Sequence, residues 1–206
     1  MTPQSKTWTA ALICIAGVLA VSAALLWRHS APQIELATGT YLSPERTLPD
    51  FSLIDQRGQS FGPRNLSGHW SLLFFGYTNC PDFCPTTLTT LAAMEKKVRA
   101  EARPQVVFIS VDAERDTPQQ LAKYVPHFDP DFIGVTAADQ HTIQALARKL
   151  GVAVAITHGA DGSYTVDHSG AIFVVDPAGK LAAILTGPFT ADALQADLDR
   201  IAAVHG

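Results

Sequence analysis

The sequence lacks any basic cluster, internal repeat or low-complexity tract beyond an excess of alanine. Its 15 Lys and Arg residues are scattered and are outnumbered by 19 Asp and Glu, which gives a formal net charge of −4. Proteins that bind nucleic acid concentrate positive charge on one surface, so this function class is excluded. Only three cysteines are present among the 206 residues. A chain of this length can bury a full core without disulfide staples, and it fits one globular domain plus a membrane segment.

Charged residues are also absent from Thr7 to Trp27. A helix of that length, at about 1.5 Å per residue, spans about 31 Å, which is close to the hydrocarbon thickness of a bilayer. Trp8 and Trp27 lie near its two ends, where indole rings favour the headgroup region. A cleaved signal peptide has a shorter apolar core and a small-residue cleavage site. The sequence therefore favours one uncleaved transmembrane anchor over residues 7–27, after a short tail over residues 1–6.

The compartment is predicted from this anchor and from a cysteine pair further along the chain. An N-terminal apolar segment of this kind acts as a signal anchor, and a reactive cysteine pair suits an oxidising compartment. We expect a single-pass protein of a bacterial-type inner membrane, with its soluble domain facing the periplasm. Residues 28–47 contain Pro32, Gly39 and Pro44 and show little apolar periodicity. They predict a linker, and the folded domain is expected over residues 48–206.

Two of the three cysteines, Cys80 and Cys84, lie four residues apart between a strand-like apolar run and a helical pattern. The unpaired N–H groups and the positive dipole end of a helix N-terminus stabilise a thiolate, and this lowers the pKa of a cysteine placed there. We therefore expect both thiols to be reactive. Cys14 falls inside the predicted anchor and is interpreted as a small apolar residue of the membrane helix.

The spacing of the pair leaves three uses open. Residues four apart face the same side of a helical turn, so both sulfur atoms can converge on one partner. They could form a structural disulfide, act as a redox dithiol, or serve as two soft ligands for a thiophilic metal such as Cu(I) or Zn(II). A structural bridge would close a very short loop and stabilise little in the chain-entropy model. The redox and metal-binding uses are therefore favoured.

Apolar runs and helical spacings alternate along the rest of the chain. Residues 51–61 have the turn chemistry of a short hairpin. Further strands are predicted over residues 70–77, 106–111, 132–135, 171–175 and 181–185, and helices over 86–101, 119–124, 137–150 and 191–204. This alternation predicts an α/β fold with a mainly parallel, three-layer sheet. The order of elements is that of a thioredoxin-like fold with insertions between residues 111 and 165.

The stretch Phe75–Pro85, FGYTNCPDFCP, resembles the signature of the SCO/SenC family of copper proteins. Two other stretches support the resemblance, SVDAERDTP over residues 110–118 and VDHS over residues 166–169. The resemblance implies a membrane-tethered, thioredoxin-like metallochaperone that binds Cu(I), with Cu(II) as a further option. It implies copper ligation by Cys80, Cys84 and His168. The six other histidines are interpreted as ordinary polar residues.

The resemblance also implies a partner. Members of this family help to assemble the dinuclear CuA centre of cytochrome c oxidase, so subunit II of the oxidase is the expected recipient of copper. A copper donor protein and a thiol reductant are further expected partners, because the thiol pair binds Cu(I) only while it is reduced. Two thiolates and one imidazole form a soft, low-coordinate site that suits Cu(I) and stays open for transfer.

Two alternative functions stay open. Residues 48–51, LPDF, resemble the opening of thiol-disulfide oxidoreductases and thiol peroxidases. In the first alternative, Cys80 and Cys84 are a catalytic redox pair that reduces the CuA-site cysteines of the oxidase subunit. In the second, Thr78 would help to activate a peroxidatic cysteine. Three residues separate the cysteines, and no proline occurs between Tyr164 and Val175. The usual oxidoreductase of this fold has two residues between its cysteines and a cis-proline that faces them. Both differences favour metal binding, and enzymatic activity is left undecided.

Overall fold

The computed structural model describes residues 15–17, 20–22, 34–159 and 163–205. The chain divides into two compact units, Met1–Gln33 and Ile34–Gly206. In the first unit, residues 15–17 and 20–22 are helical. The other residues of the predicted anchor, Cys14 among them, lie outside the described residues. Within the described residues, no helix is both long enough and apolar enough to cross a membrane.

The described part of the second unit contains one sheet of eight strands and one separate two-stranded hairpin. The strands are β1 (Gly39–Thr47), β2 (Leu53–Asp55), β3 (Ser60–Phe61), β4 (Ser71–Gly76), β5 (Gln105–Ser110), β6 (Ile133–Thr136), β7 (Val154–His158), β8 (Tyr164–His168), β9 (Ile172–Val175) and β10 (Lys180–Leu185). The helices are α1 (Phe83–Glu95), α2 (Pro118–Tyr124), α3 (Gln140–Leu150) and α4 (Ala191–Ala203). The large sheet has the order β1-β10-β9-β4-β5-β6-β2-β3, and β7 pairs with β8.

The sheet is mixed, so the prediction of a mainly parallel sheet was wrong. Two pairs of neighbouring strands in the centre of the sheet are parallel, β4 with β5 and β5 with β6. The remaining pairs of the sheet are antiparallel. Short turns account for the antiparallel pairs β2–β3 and β9–β10, because a tight turn can join only antiparallel strands. The turns before β3 and β10 were predicted correctly, and they place antiparallel hairpins on both sides of the parallel centre.

Apolar side chains cover both faces of the sheet, as a three-layer α/β fold requires. Successive residues of β4 point to opposite faces, so Leu72 and Phe74 join one cluster while Leu73 and Phe75 join the other. Helices α1, α2 and α4 pack on the face of Phe74, and α3 packs on the face of Phe75. Strand β4 is buried along its whole length. The predicted central strand over residues 70–77 is thereby confirmed.

Strand β1 corrects the prediction that residues 28–47 form a linker. Its backbone pairs antiparallel with β10 at the edge of the sheet. A buried carboxylate fixes its start, because Asp197 of α4 accepts hydrogen bonds from the backbone N–H groups of Ala37 and Thr38, both at 2.8 Å, and from the Thr38 hydroxyl at 2.7 Å. No residue of β1 is buried. The strand is held by its backbone, so it carries no apolar alternation that a sequence pattern could reveal.

Several element boundaries also differ from the prediction. Helix α1 begins at Phe83 and ends at Glu95, six residues before the predicted end at Glu101. Neither β7 nor its partner β8 was predicted as a strand. Thr117 caps α2 by accepting from the N–H of Gln120. Helix α3 starts three residues later than predicted, and it ends before Gly151 as predicted.

Glu95, the last residue of α1, is a buried carboxylate at a cleft of about 380 Å³. The cleft is lined by His69, Arg103, Gln105 and Asp131 among others. Burial, together with the negative charges of Asp129 and Asp131, raises the pKa of Glu95 to about 7. The folded protein therefore holds a proton that the unfolded chain releases near its usual pKa of 4.5.

This raised pKa predicts a pH-dependent stability. The unfolded state loses its proton first, so the free energy of unfolding should fall as pH rises from about 4.5 to about 7, by about 1 to 3 kcal/mol after allowance for solvent screening. Glu95→Gln should remove this fall and be the more stable protein at pH 8. Urea unfolding across this pH range measures the effect. Glu101→Gln, at an exposed position, is the control. An unchanged pH profile in Glu95→Gln would contradict the prediction.

Candidate metal centre

The cysteine loop joins the end of the buried strand β4 to the start of α1. Cys80 lies in the loop and is half-buried, whereas Cys84 lies in the first turn of α1 and is fully buried. Cys84 packs directly on the last residue of β4, Gly76. A Cβ atom at Gly76 would lie 3.0 Å from the Cys84 sulfur and 2.6 Å from the ring of Phe108. The absence of a side chain at Gly76 therefore allows the sulfur to sit over the end of the central strand.

A buried carboxylate holds the start of this loop. Asp116 is completely buried and accepts hydrogen bonds from the Thr78 backbone N–H at 2.9 Å and the Thr78 hydroxyl at 2.6 Å. It accepts a third from the Ser110 hydroxyl at 2.6 Å, at the end of β5. Burial raises the pKa of Asp116, and these hydrogen bonds oppose the rise. The network ties the cysteine loop to the neighbouring parallel strand.

His168 is the last residue of β8, in the separate hairpin. A cluster of Asp112, Arg115 and Tyr164 fastens this hairpin to the domain. The guanidinium of Arg115 lies 3.7 Å from the Tyr164 ring centroid, forms an ion pair with Asp112 and donates to the Tyr164 carbonyl at 3.1 Å. The Tyr164 hydroxyl donates to Asp112 at 2.7 Å, and its pKa is raised to about 12, first by burial and then by Asp112. The hairpin is thus held by polar contacts as well as by the core.

The three side chains predicted as ligands converge. The sulfur atoms of Cys80 and Cys84 and a ring nitrogen of His168 lie within 4.8 Å of one another. The Cys84 sulfur is 3.4 Å from Nε2 of His168, although the two residues are 84 positions apart. The Cys84 N–H donates to the Cys80 sulfur at 3.4 Å. In the described part of the chain, no other group of three His, Cys, Asp or Glu side chains meets this geometry.

Hydrogen bonding orients the histidine. Nδ1 of His168 lies 3.1 Å from the Ser169 carbonyl, which can only accept, so Nδ1 carries the proton. Nε2 is then the free nitrogen, and it faces Cys84. Burial lowers the pKa of His168. A neutral imidazole with a free Nε2 is the form that binds metal.

The pKa of the buried Cys84 thiol differs from the one expected from the sequence. The sequence predicted a lowered pKa for both cysteines at the helix N-terminus. Burial instead raises the pKa of Cys84 strongly, and the neighbouring Cys80 raises it further. Desolvation outweighs the helix dipole because the Cys84 side chain has no access to water. Without a cation beside it, Cys84 is a neutral thiol at neutral pH.

Aromatic rings line the histidine side of the site. Phe74, Tyr77 and Phe83 lie with their ring centroids 6.0 to 6.4 Å from that of His168, all in edge-on orientations. Neither Phe83 nor Arg115 was predicted to take part in the site. Only their positions within the stretches 75–85 and 110–118 could have indicated them. Thr78, which the peroxidase alternative required as an activating group, is hydrogen-bonded to Asp116.

This arrangement can perform two kinds of chemistry. Two sulfur atoms and one nitrogen, in a mostly desolvated pocket, form a soft site of low coordination number, as thiophilic metals prefer. The two sulfur atoms also lie close enough that a small movement would bring them together as a disulfide. Both cysteines are free thiols in the structure.

Comparison with known proteins agrees with this geometry. Residues 39–203 match the family model described as SCO1/SenC. A protein of Stutzerimonas stutzeri, provisionally named as copper-binding, is 38% identical over 170 residues, which cover 82% of this chain and 83% of that protein. The structure of Arabidopsis thaliana ScoI with copper bound is 35% identical with a TM-score of 0.71, over 76% of this chain and 98% of that one.

A second copper-bound structure, Bradyrhizobium japonicum ScoI, is 34% identical with a TM-score of 0.68 and covers 75% of this chain and 99% of that one. The match to the family model includes the cysteine loop, the Asp-Thr-Pro stretch and the histidine hairpin. The resemblance seen in the sequence is confirmed, together with the thioredoxin-type fold that it implied. The chain belongs to the SCO1/SenC family.

Proposed function

We propose that this protein is a copper chaperone that binds Cu(I) through Cys80, Cys84 and His168 and delivers it to the CuA site of cytochrome c oxidase. The observation that carries the proposal is the convergence of these three ligand atoms within 4.8 Å from two distant parts of the chain. Relatives described as copper-binding or solved with copper bound support the choice of metal. In this proposal copper is the ion that the protein transfers, and it is not a permanently bound cofactor.

The softness of the two sulfur ligands favours Cu(I), and its charge offsets part of theirs. Two thiolates and one Cu(I) ion leave a net charge of −1, which a buried site tolerates better than two uncompensated thiolates. The cation replaces the proton that burial holds on Cys84, so loading should release protons. The neutral His168 completes the coordination without adding charge. Cu(II) binding by the same ligands is part of the proposal, with lower preference because thiolates are soft.

The recipient is proposed to be subunit II of the oxidase, whose dinuclear CuA site also contains cysteines. Cys80 and His168 are both partly exposed, so an incoming thiolate can reach copper from their side while Cys84 stays buried. A copper donor and a thiol reductant complete the proposed set of partners. The reductant is needed because a disulfide between Cys80 and Cys84 cannot bind Cu(I).

Removal of single ligands should weaken copper binding. We expect the reduced full chain to bind one Cu(I) tightly in an anaerobic competition titration. Cys80→Ser, Cys84→Ser and His168→Ala should each lose affinity by roughly 100-fold or more, because each removes one of three ligands. His141→Ala, at an exposed position on α3, is the control and should bind like the parent. Parent-like binding by His168→Ala would contradict the three-ligand site.

A second candidate function is reduction of the CuA-site cysteines by the same thiol pair. The proximity of the two free thiols favours it. In that reaction the partly exposed Cys80 would be the attacking thiol, because Cys84 is buried and its pKa is raised.

The role of His168 separates the two candidates. A reductase needs the two cysteines alone, whereas a chaperone needs the histidine as well. We expect cells that carry His168→Ala to lose oxidase activity as fully as cells that carry Cys80→Ser. Normal oxidase activity with His168→Ala, and none with either cysteine variant, would assign the reductase role instead.

We further propose that residues 7–27 anchor the protein in a bacterial-type inner membrane with the domain facing the periplasm. The uncharged run of the sequence supports this proposal. Alkaline carbonate washing should leave the full chain in the membrane fraction, and deletion of residues 7–27 should release it. Release of the parent protein by the same wash would contradict the anchor.

A further inference from the structure

The second unit exposes one large apolar side chain beside the copper site. Among residues 34–159 and 163–205, Phe83 is the only large hydrophobic residue that is exposed, with 46% of its surface accessible to solvent. It directly precedes the ligand Cys84, and its ring packs edge-on against that of His168. A single exposed hydrophobic side chain is common on protein surfaces, so a role for Phe83 depends on what surrounds it.

Phe83 also forms one end of an apolar groove of about 450 Å³. Helix α1 supplies one wall, which includes Thr90, and residues 186–189 after β10 supply the other, which includes Phe189. None of the lining residues carries a charge. We call this the Phe83 groove. It is suited to an apolar side chain of a partner and offers nothing to a charged one.

The groove is continuous with the copper site. The ring of Phe83 fills the space beside Gly170, where a Cβ atom would lie 2.3 Å from it, two residues after the ligand His168. The same ring therefore contacts the histidine loop on one side and lines the groove on the other. A protein surface that covers His168 and extends over Phe83 therefore reaches this groove.

We propose that the Phe83 groove is the docking site of the protein that receives copper, which inserts an apolar side chain located beside its own copper ligands. This inference rests on the proposed chaperone function. Direct transfer requires a ligand of the recipient to reach copper while Cys80 still holds it, so the two surfaces must touch around the cysteine loop. The groove is the uncharged, concave surface that adjoins this point, and burial of Phe83 and of the inserted side chain would stabilise the complex.

Two threonines of α1 provide a matched test. Thr90 lines the groove, whereas its neighbour Thr89 lines a different cleft that contains Lys96 and Lys97. Each hydroxyl donates to the backbone carbonyl four residues earlier, at 2.9 Å and 2.8 Å. Lysine at either position removes the same kind of hydrogen bond and adds the same charge to the same helix. Neither residue is one of the predicted ligands.

The experiment measures Cu(I) transfer from the reduced, copper-loaded full chain in detergent to the copper-free soluble domain of the oxidase subunit II. We expect Thr90→Lys to slow transfer by about tenfold or more, and Thr89→Lys to stay within about twofold of the parent. Thr90→Val, which is uncharged and similar in shape, should transfer like the parent. Cu(I) affinity, measured separately, should be unchanged in all three variants.

Four results would overturn the proposal. Equal transfer by Thr90→Lys and Thr89→Lys would show that the groove is not used. Absence of transfer from a parent that binds copper tightly would exclude this recipient. Sedimentation that shows self-association of the parent, lost in Thr90→Lys, would assign the groove to a second copy of the chain. Equal slowing of copper uptake from a copper donor by Thr90→Lys would assign it to the donor. Failure of the parent to bind Cu(I) would instead refute the proposed function.

Discussion

The burial of the Cys84 sulfur at the end of the central strand is the constraint on which the site depends. Burial places the sulfur 3.4 Å from Nε2 of His168 and holds a proton on it until a cation arrives. A fully exposed pair of thiols would ionise and oxidise more readily, because the thiolate is the reactive form. The buried thiol therefore stays protonated until a soft cation replaces the proton and binds the sulfur as a ligand.

The surrounding structure serves to hold that sulfur and the histidine together. Gly76 gives the sulfur its place on β4, and Asp116 ties the loop before Cys80 to β5. On the other side, the contacts of Arg115 and Tyr164 hold the hairpin that carries the histidine. Two parts of the chain that are 84 positions apart thus meet because each is fastened separately to the parallel centre of the sheet.

The sequence predicted the parts of this arrangement that depend on local pattern. The apolar run over residues 70–77, the cysteine spacing and the turns of the hairpins are local signals, and the structure contains the corresponding elements. The choice of His168 among seven histidines came from the family resemblance, because no local pattern distinguishes it. Strand β1 was missed for the same reason, since backbone pairing and the buried Asp197 hold it. The raised pKa of Cys84 could not be predicted either, because burial is a property of the folded chain.

The proposed binding of one Cu(I) ion by two sulfur atoms and one histidine nitrogen can be measured by X-ray absorption at the copper K edge, on the reduced full chain loaded with one Cu(I). We expect a low-coordinate site with two sulfur ligands and one nitrogen ligand, and loss of the nitrogen alone in His168→Ala. A coordination sphere without both sulfur atoms, or a spectrum that His168→Ala leaves unchanged, would contradict it.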